Sequence, residues 1–369
     1  MMARAKAQPH QQSQGLLWSI LDWGAVTPIG TSAWQSAASW VGGQRRFRKA
    51  AHTQIAPGPL TTAQCSEVSA GLAGNARLAA LLRVAIHDMA GLAFASGTSP
   101  QPDNVQVLLS LPQGLGQADA ALIWGECRAG LPSALQWLSD SPWVAATGSN
   151  ATGFALLETA QTQAAQNPEL SLLLLAGVDS LVDDSSLKAA FGAGTLLTDS
   201  HSEGFIPGEA AACVLLGRAT DTRAIGERTL FLHPAAVAQA ASARWPSAAL
   251  PDGTATATAF SACLQAAGMR TEHISHALCD MDGSEWRAIE QSHARIRALG
   301  AMPPTAWEPA GSLGQVGAAT VPLYLALAAQ RSLKDRQPPN TLLVWAIEAD
   351  VLSAAAVLER AVAAQAAVA

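Results

Sequence analysis

An α/β fold assembled from two successive halves is what this sequence predicts, and three observations predict it. Short apolar runs bounded by turn residues alternate with segments whose apolar residues recur three and four positions apart. The alternation stops at a polar stretch around residues 218–228 and then restarts. The 369 residues also exceed the roughly 100–200 of one ordinary domain. In the first half, strands are expected at residues 16–21, 105–111, 172–176 and 211–216, because a strand covered by helices on both faces is apolar on both. Helices are expected at 77–94 and 151–165, whose spacing packs one face. The second half predicts a strand at 229–238, a helix at 255–267, a strand at 274–281 and a helix at Glu285–Leu299. It continues with a helix at 316–329, a strand at Thr341–Ile347 and a last strand or helix at 352–358. The implied division is a flexible tail over 1–15, a first half over 16–225, a second half over 226–362 and a frayed, low-complexity tail over 363–369. The proline-containing stretches "PQPDNVQ" and "DRQPPN" read as turns before strands rather than linkers.

Composition narrows the function. Hydrophobic residues make up 49% and charged residues 14%, a balance that supports a sizeable core and excludes a disordered chain. A net charge of −6 gives no basic field for a phosphate backbone, so nucleic acid is not an expected partner. The apolar run after residue 15 is short and interrupted by Asp22, so neither a signal peptide nor a membrane span is expected. Five cysteines, at Cys65, Cys127, Cys213, Cys263 and Cys279, lack the spacing of a zinc site or a disulfide scaffold, which fits a reducing, cytoplasmic setting. Eleven tryptophans stand beside a single tyrosine, and tryptophan is enriched where proteins meet partners. Most are nonetheless expected in the core.

Four segments carry a resemblance: "WGAVTPIGTSAWQSAASWVGG" (23–43), "AGVDSLVDDSSL" (176–187), "GTLLTDS" (194–200) and "GFIPGEAAACVLLG" (204–217). In content and spacing they resemble the β-ketoacyl synthases, most strongly over the first 217 residues. The resemblance implies the thiolase fold, in which two similar βαβαβαββ halves form a five-layer α-β-α-β-α body, normally paired as a dimer. It also implies a chemistry. A thiol at the N-terminus of a buried helix takes the acyl chain, since the helix dipole and free N–H groups stabilise a thiolate. Two histidines assist decarboxylation and polarise the thioester carbonyl, while backbone donors hold the oxyanion.

Those groups are missing at the positions the resemblance assigns to them. The nucleophile falls within "AATGSNATGFALLETA", where Asn150 is its counterpart with Ser149 adjacent and no cysteine nearby. The first histidine is expected after "ISHALCDMDG", which offers Cys279, Asp280, Met281 and Asp282, while His276 comes too early and reads as a strand histidine. The second histidine belongs in "GSLGQVGAAT", where Gln315 stands; an amide can hydrogen-bond but cannot exchange a proton near neutral pH. The late glycine-rich loop is absent from "LLVWAIEADVLSAAAV". Four departures in one direction imply a fold kept without its reaction, a pseudo-ketosynthase. Were it active, it would be an acyltransferase.

Other chemistries find less support. Ser149 at a strand-to-helix turn lacks the Gly-x-Ser-x-Gly pattern, and a helix cap accounts for Ser149 or Asn150. Nothing orients a base toward Cys279 or Cys127. His273 and His276, three apart in a strand, would diverge, and the aspartates of "DSLVDDSS" read as a solvated turn or cap. No metal or cofactor is expected. The basic run "GQRRFRKA" is a solvated face or a docking site for an acidic partner such as a carrier protein.

The reading is therefore a protein that works through contacts. Degenerate members with such segments are similar to accessory proteins of bacterial type VI secretion effectors, which implies an adaptor or co-chaperone for a toxin. The alternative is a chain-length-factor-like subunit pairing with an active ketosynthase in polyketide or aryl-polyene biosynthesis, as a homo- or heterodimer. An adaptor would have its pocket filled by bulky side chains such as Phe154 and Trp286, whereas a chain-length subunit would keep a tunnel.

Overall fold

Strands and helices alternate along the chain as the apolar runs predict. The computed structural model describes residues 16–51, 54–89, 101–219, 229–247, 250–300 and 303–361. The expected tails, the boundary near 225 and residues 90–94 of the first expected helix lie outside these. In order, the elements are β1 (Trp18–Val26), α1 (Ala33–Val41), β2 (Phe47–Ala51), β3 (Pro59–Ala63), α2 (Ser66–Ser69), α3 (Gly74–Asp88) and β4 (Val105–Pro112). Then come α4 (Gln117–Ala129), β5 (Trp143–Gly148), α5 (Thr152–Gln166), β6 (Leu172–Ser180), α6 (Asp184–Gly192) and β7 (Glu209–Arg218). The second half holds β8 (Leu230–Leu232), β9 (Ala236–Gln239), α7 (Thr254–Ala266), β10 (His276–Cys279), α8 (Glu285–Leu299) and β11 (Thr305–Trp307). It ends with α9 (Ala310–Leu313), α10 (Thr320–Lys334), β12 (Thr341–Ile347) and β13 (Leu352–Arg360).

The main sheet runs β11-β10-β12-β13-β8-β1-β7-β6-β4-β5, with β9 also beside β13. Counted within its own half, each set of strands takes the same spatial order: third, second, fourth, fifth, first. In both halves the fourth and fifth strands pair antiparallel, β6 with β7 and β12 with β13, while the second strand pairs parallel with the third and fourth. Setting aside the β2–β3 hairpin and the short helices, each half reads βαβαβαββ. The two sets join where β1 pairs with β8, Trp18 opposite Leu232.

Burial shows five layers. Along β6, Leu172, Leu174, Ala176 and Val178 face one core with α3 and α4, while Leu173 and Leu175 face another with α5 and α10. Along β12, Leu342, Val344 and Ala346 face that same α5–α10 core, and Leu343, Trp345 and Ile347 turn outward onto α7 and α8. Strand side chains alternate faces, so both sets of strands are covered on both sides and share the middle helices. α5 and α10 approach closely at Gly153, where an added Cβ would come within 2.8 Å of Val321 Cβ.

One expectation needs correction. The strand expected over 229–238 is broken into β8 and β9, both pairing with β13, Leu232 opposite Leu358 and Ala236 opposite Ala355. Four steps on one strand face three on the other, a bulge at Pro234, which has no N–H to give the ladder. The last segment is a strand, and it extends to Arg360. Periodicity also left unread the half-exposed edge strand β5, α4 and the three-residue β11.

Candidate functional site

The turn from β5 into α5 carries Ser149 and Asn150, as the sequence placed them. Asn150 is 0% exposed, although neither residue caps α5 through its side chain. Its amide nitrogen instead donates to Asp280 Oδ2 at 2.8 Å, and its Oδ1 accepts from Ser149 Oγ at 3.2 Å. The helix start is met by Glu348, whose carboxylate accepts from Ser149 N at 3.1 Å and Thr152 Oγ1 at 2.9 Å. Glu348 comes from the segment where the resemblance expects a glycine-rich loop. A resident carboxylate thus occupies the positive end of α5, the place where the resemblance puts a thiolate. Burial pushes the Glu348 carboxyl above the usual range, against the pull of its Thr152 and Ser149 donors.

Asp280, just past β10, is the hub. Its Oδ2 also accepts from Ile347 N at 2.8 Å and pairs with Arg287, and its Oδ1 accepts from Gln291 Nε2 at 3.0 Å. Arg287 Nε lies 3.2 Å from Asp282 Oδ2, which in turn accepts from Gln315 Nε2 at 3.2 Å. Arg287 further donates to the Ile347 carbonyl and stacks over Trp286, 4.5 Å from the ring centre. Burial raises the Asp280 carboxyl, Arg287 opposing it. Asn150, Asp280 and Gln315 are therefore gathered into one network, with Arg287, Gln291, Asp282 and Glu348 as members that the sequence reading had not assigned a role.

Cys279 does not join them. It lies on the outer face of β10 in the core under α7 and α8, and burial drives its thiol far above the usual range. Cys127 is likewise buried and pushed up to about 12. His276 opens β10 and stacks on Trp307, 4.9 Å between ring centres, while His273 sits exposed in a turn and accepts from Arg270 N. Of the bulky side chains expected to fill the pocket, Phe154 is in the central core, but Trp286 belongs to the outer core. The filling at Asn150 is ionic rather than aromatic. Cavities of about 260, 30 and 340 Å³ are lined by none of Ser149, Asn150, Cys279, Asp280 or Gln315. Among the described residues no group of three or more His, Cys, Asp or Glu could hold a metal ion, and no helix is long and apolar enough to cross a membrane.

The aspartates of "DSLVDDSS" divide. Asp183 caps α6, accepting from Ser185 N and Ser186 N. Asp179 is buried, accepting from Ala318 N at 2.8 Å and lying against Gly317, whose φ of 47° and lack of Cβ make room for it. Burial pushes Asp179 up to about 7. The folded state therefore holds a proton that the unfolded chain, titrating near pH 4, releases first. The contribution of Asp179 to stability should therefore be greatest below about pH 4, fall by up to about 1.4 kcal/mol per pH unit toward pH 7, and level off above that. Urea unfolding across this range should show a flatter profile for Asp179→Asn; an unchanged difference from pH 5 to 8 contradicts the assignment.

The architecture is the thiolase-like fold of the ketosynthases. An oxazolomycin ketosynthase domain from Streptomyces albus JA3453 superposes with a TM-score of 0.72 at 14% identity, over 94% of this chain and 74% of that one. The ishigamide ketosynthase/chain length factor gives 0.70 at 16% identity, over 94% and 99%. A type II PKS ketosynthase, in complex with its acyl-carrier protein and bound to the hexaketide, gives 0.75 at 12%, over 94% and 100%. No family model and no curated protein matches the sequence.

Proposed function

We propose that this protein is a non-catalytic ketosynthase-like subunit that acts by pairing with an active ketosynthase, in the manner of a chain length factor. One observation carries the absence of catalysis. At the positions the resemblance assigns to a thiolate and two imidazoles, the chain has an amide, a carboxylate and a second amide, and these are held in a buried ionic network. The network holds no thiol to capture an acyl chain and no imidazole to shuttle a proton.

Pairing is supported by the sheet. β5 ends the main sheet, and among the described residues its outer edge has no strand partner. Val144 on it is 41% exposed. An open edge of this kind is a template for a strand of another chain. Because β5 leads directly into Ser149 and Asn150, a partner seated there would lie beside the filled site. The likeness to a ketosynthase/chain length factor and to a ketosynthase complexed with an acyl-carrier protein favours a biosynthetic partner. The filled cleft favours a role through contacts over one that shapes an acyl chain within this subunit, and it is the one feature that the toxin-adaptor reading shares.

Co-purification of the tagged chain from its host, read by mass spectrometry, should return a ketosynthase with an intact Cys-His-His set together with a carrier protein. Recovery of a secreted toxin or spike protein in their place would sink the biosynthetic reading in favour of the adaptor.

A further inference from the structure

We infer that the notch at the start of α8 binds a free α-ammonium group together with the carbonyl beside it, the chemistry of a polypeptide's N-terminal residue when that residue is small. The notch, of about 30 Å³, is lined by His201 and Glu203 from the loop between α6 and β7, by Trp245 from the segment before α7, and by Ser284, Glu285 and Trp286 where α8 opens. A space of this size holds about two water-sized groups. Its walls are anchored. Trp245 N donates to the Ala349 carbonyl at 2.8 Å, and Trp286 belongs to the outer core with Arg287 stacked on its ring.

Polar groups in the notch lack partners. Ser284 is 4% exposed, yet its hydroxyl makes no hydrogen bond among the described residues, not even the capping bond that its place before α8 allows. Trp245 Nε1 is buried and equally unpartnered. A buried donor left without an acceptor is costly, and a ligand oxygen would relieve it. Charge sets the rest. Glu203 and Glu285 are exposed and have no cation partner among the described residues. Asp282 already meets the first N–H groups of α8, accepting from Ser284 N at 3.0 Å, so the helix end does not turn the notch toward anions. Two carboxylates beside two indole rings favour an ammonium. An indole N–H cannot bond to an ammonium, however; it needs an acceptor. An α-ammonium with its neighbouring carbonyl meets both demands, giving N–H donors to Glu203, Glu285 and Ser284 Oγ and an oxygen to Trp245 Nε1. A lysine side chain brings the cation without the oxygen.

The test titrates the full chain into a short peptide that begins with glycine and is labelled at its C-terminus, followed by fluorescence anisotropy. The free-amine peptide should bind, and its N-acetylated form should bind about tenfold more weakly or worse. An acetylated peptide carrying one lysine should do no better. Binding should fall about tenfold in the double variant Glu203→Gln/Glu285→Gln, and about threefold or more in Trp245→Phe, which keeps an aromatic ring and loses the N–H. Because both carboxylates are exposed, the double variant should melt as the parent does. The inference is overturned if the free-amine peptide does not bind, if the acetylated peptide binds as tightly, or if the double variant binds like the parent. Binding of glycinamide without binding of the peptide would overturn the chain-terminus assignment in favour of a free amino-acid derivative.

Discussion

Arg287→Met should cost about 3–5 kcal/mol of folding stability, read as a lower urea midpoint with loss of near-ultraviolet circular dichroism. The reason is what it leaves behind. Asp280 and Asp282 are held within the interior by one guanidinium, and removing it strands two carboxylates with no cation to balance them. With native stability typically about 5–15 kcal/mol, a loss of this size removes a large share of the total. Replacing all three groups together, Arg287→Met with Asp280→Asn and Asp282→Asn, should restore part of it, because no unpaired charge then remains buried. If the single variant unfolds at the parent's midpoint, the network is not the internal bracing described above.

Asn150→Cys should not create a condensing enzyme. The substitution supplies the missing atom, but the new thiol would face the Asp280 carboxylate across 2.8 Å geometry that now serves an amide. A buried negative neighbour raises a thiol's pKa, the reverse of what a nucleophile needs. The positions that the resemblance assigns to two imidazoles would still carry a carboxylate and an amide, and each proton-handling group is worth about 10²–10⁴-fold in rate. Malonyl-thioester decarboxylation and acyl loading should therefore stay at background in both the parent and the variant. Covalent loading of the parent at Ser149, or release of carbon dioxide that depends on residues 149–150, would overturn the non-catalytic reading.

The fold was legible because both halves write it in the same way. Strands such as Leu172–Ser180 and Thr341–Ile347 are buried along their whole length and carry apolar runs over 172–176 and 342–347. Short or edge elements were not legible: β5 is half-exposed and β11 has only three residues, so neither makes such a run. Asn150 and Gln315 could be placed from flanking motifs, and the structure puts Asn150 at the strand-to-helix turn. The bonds they make could not be placed, since nothing local predicts that an amide after β5 meets a carboxylate 130 positions later. Arg287 and Gln291 lie four apart on α8 among Glu285, Glu290 and Arg295, and nothing in that charged stretch announces burial. In three dimensions that face is buried, with Arg287 and Gln291 bonded to Asp280 and Glu290 paired with Arg244. Likewise, "GFIPGEAA" gave family likeness but not the task of Glu209. That carboxylate, fully buried, ties Arg77, Ser69, Ser180 and Cys65 N together beneath the β2–β3 hairpin.

The helix α10 belongs by position to the second half of the chain, yet it rests against β1, β6 and β7 of the first as well as β12 of its own. Severing the polypeptide between the two halves would leave the earlier one with a stripped inner wall and the later one with a helix wetted along its greasiest side. Neither half is therefore free to drift alone: a change of volume at Val321 or Leu325 is felt on both sides of the molecule at once.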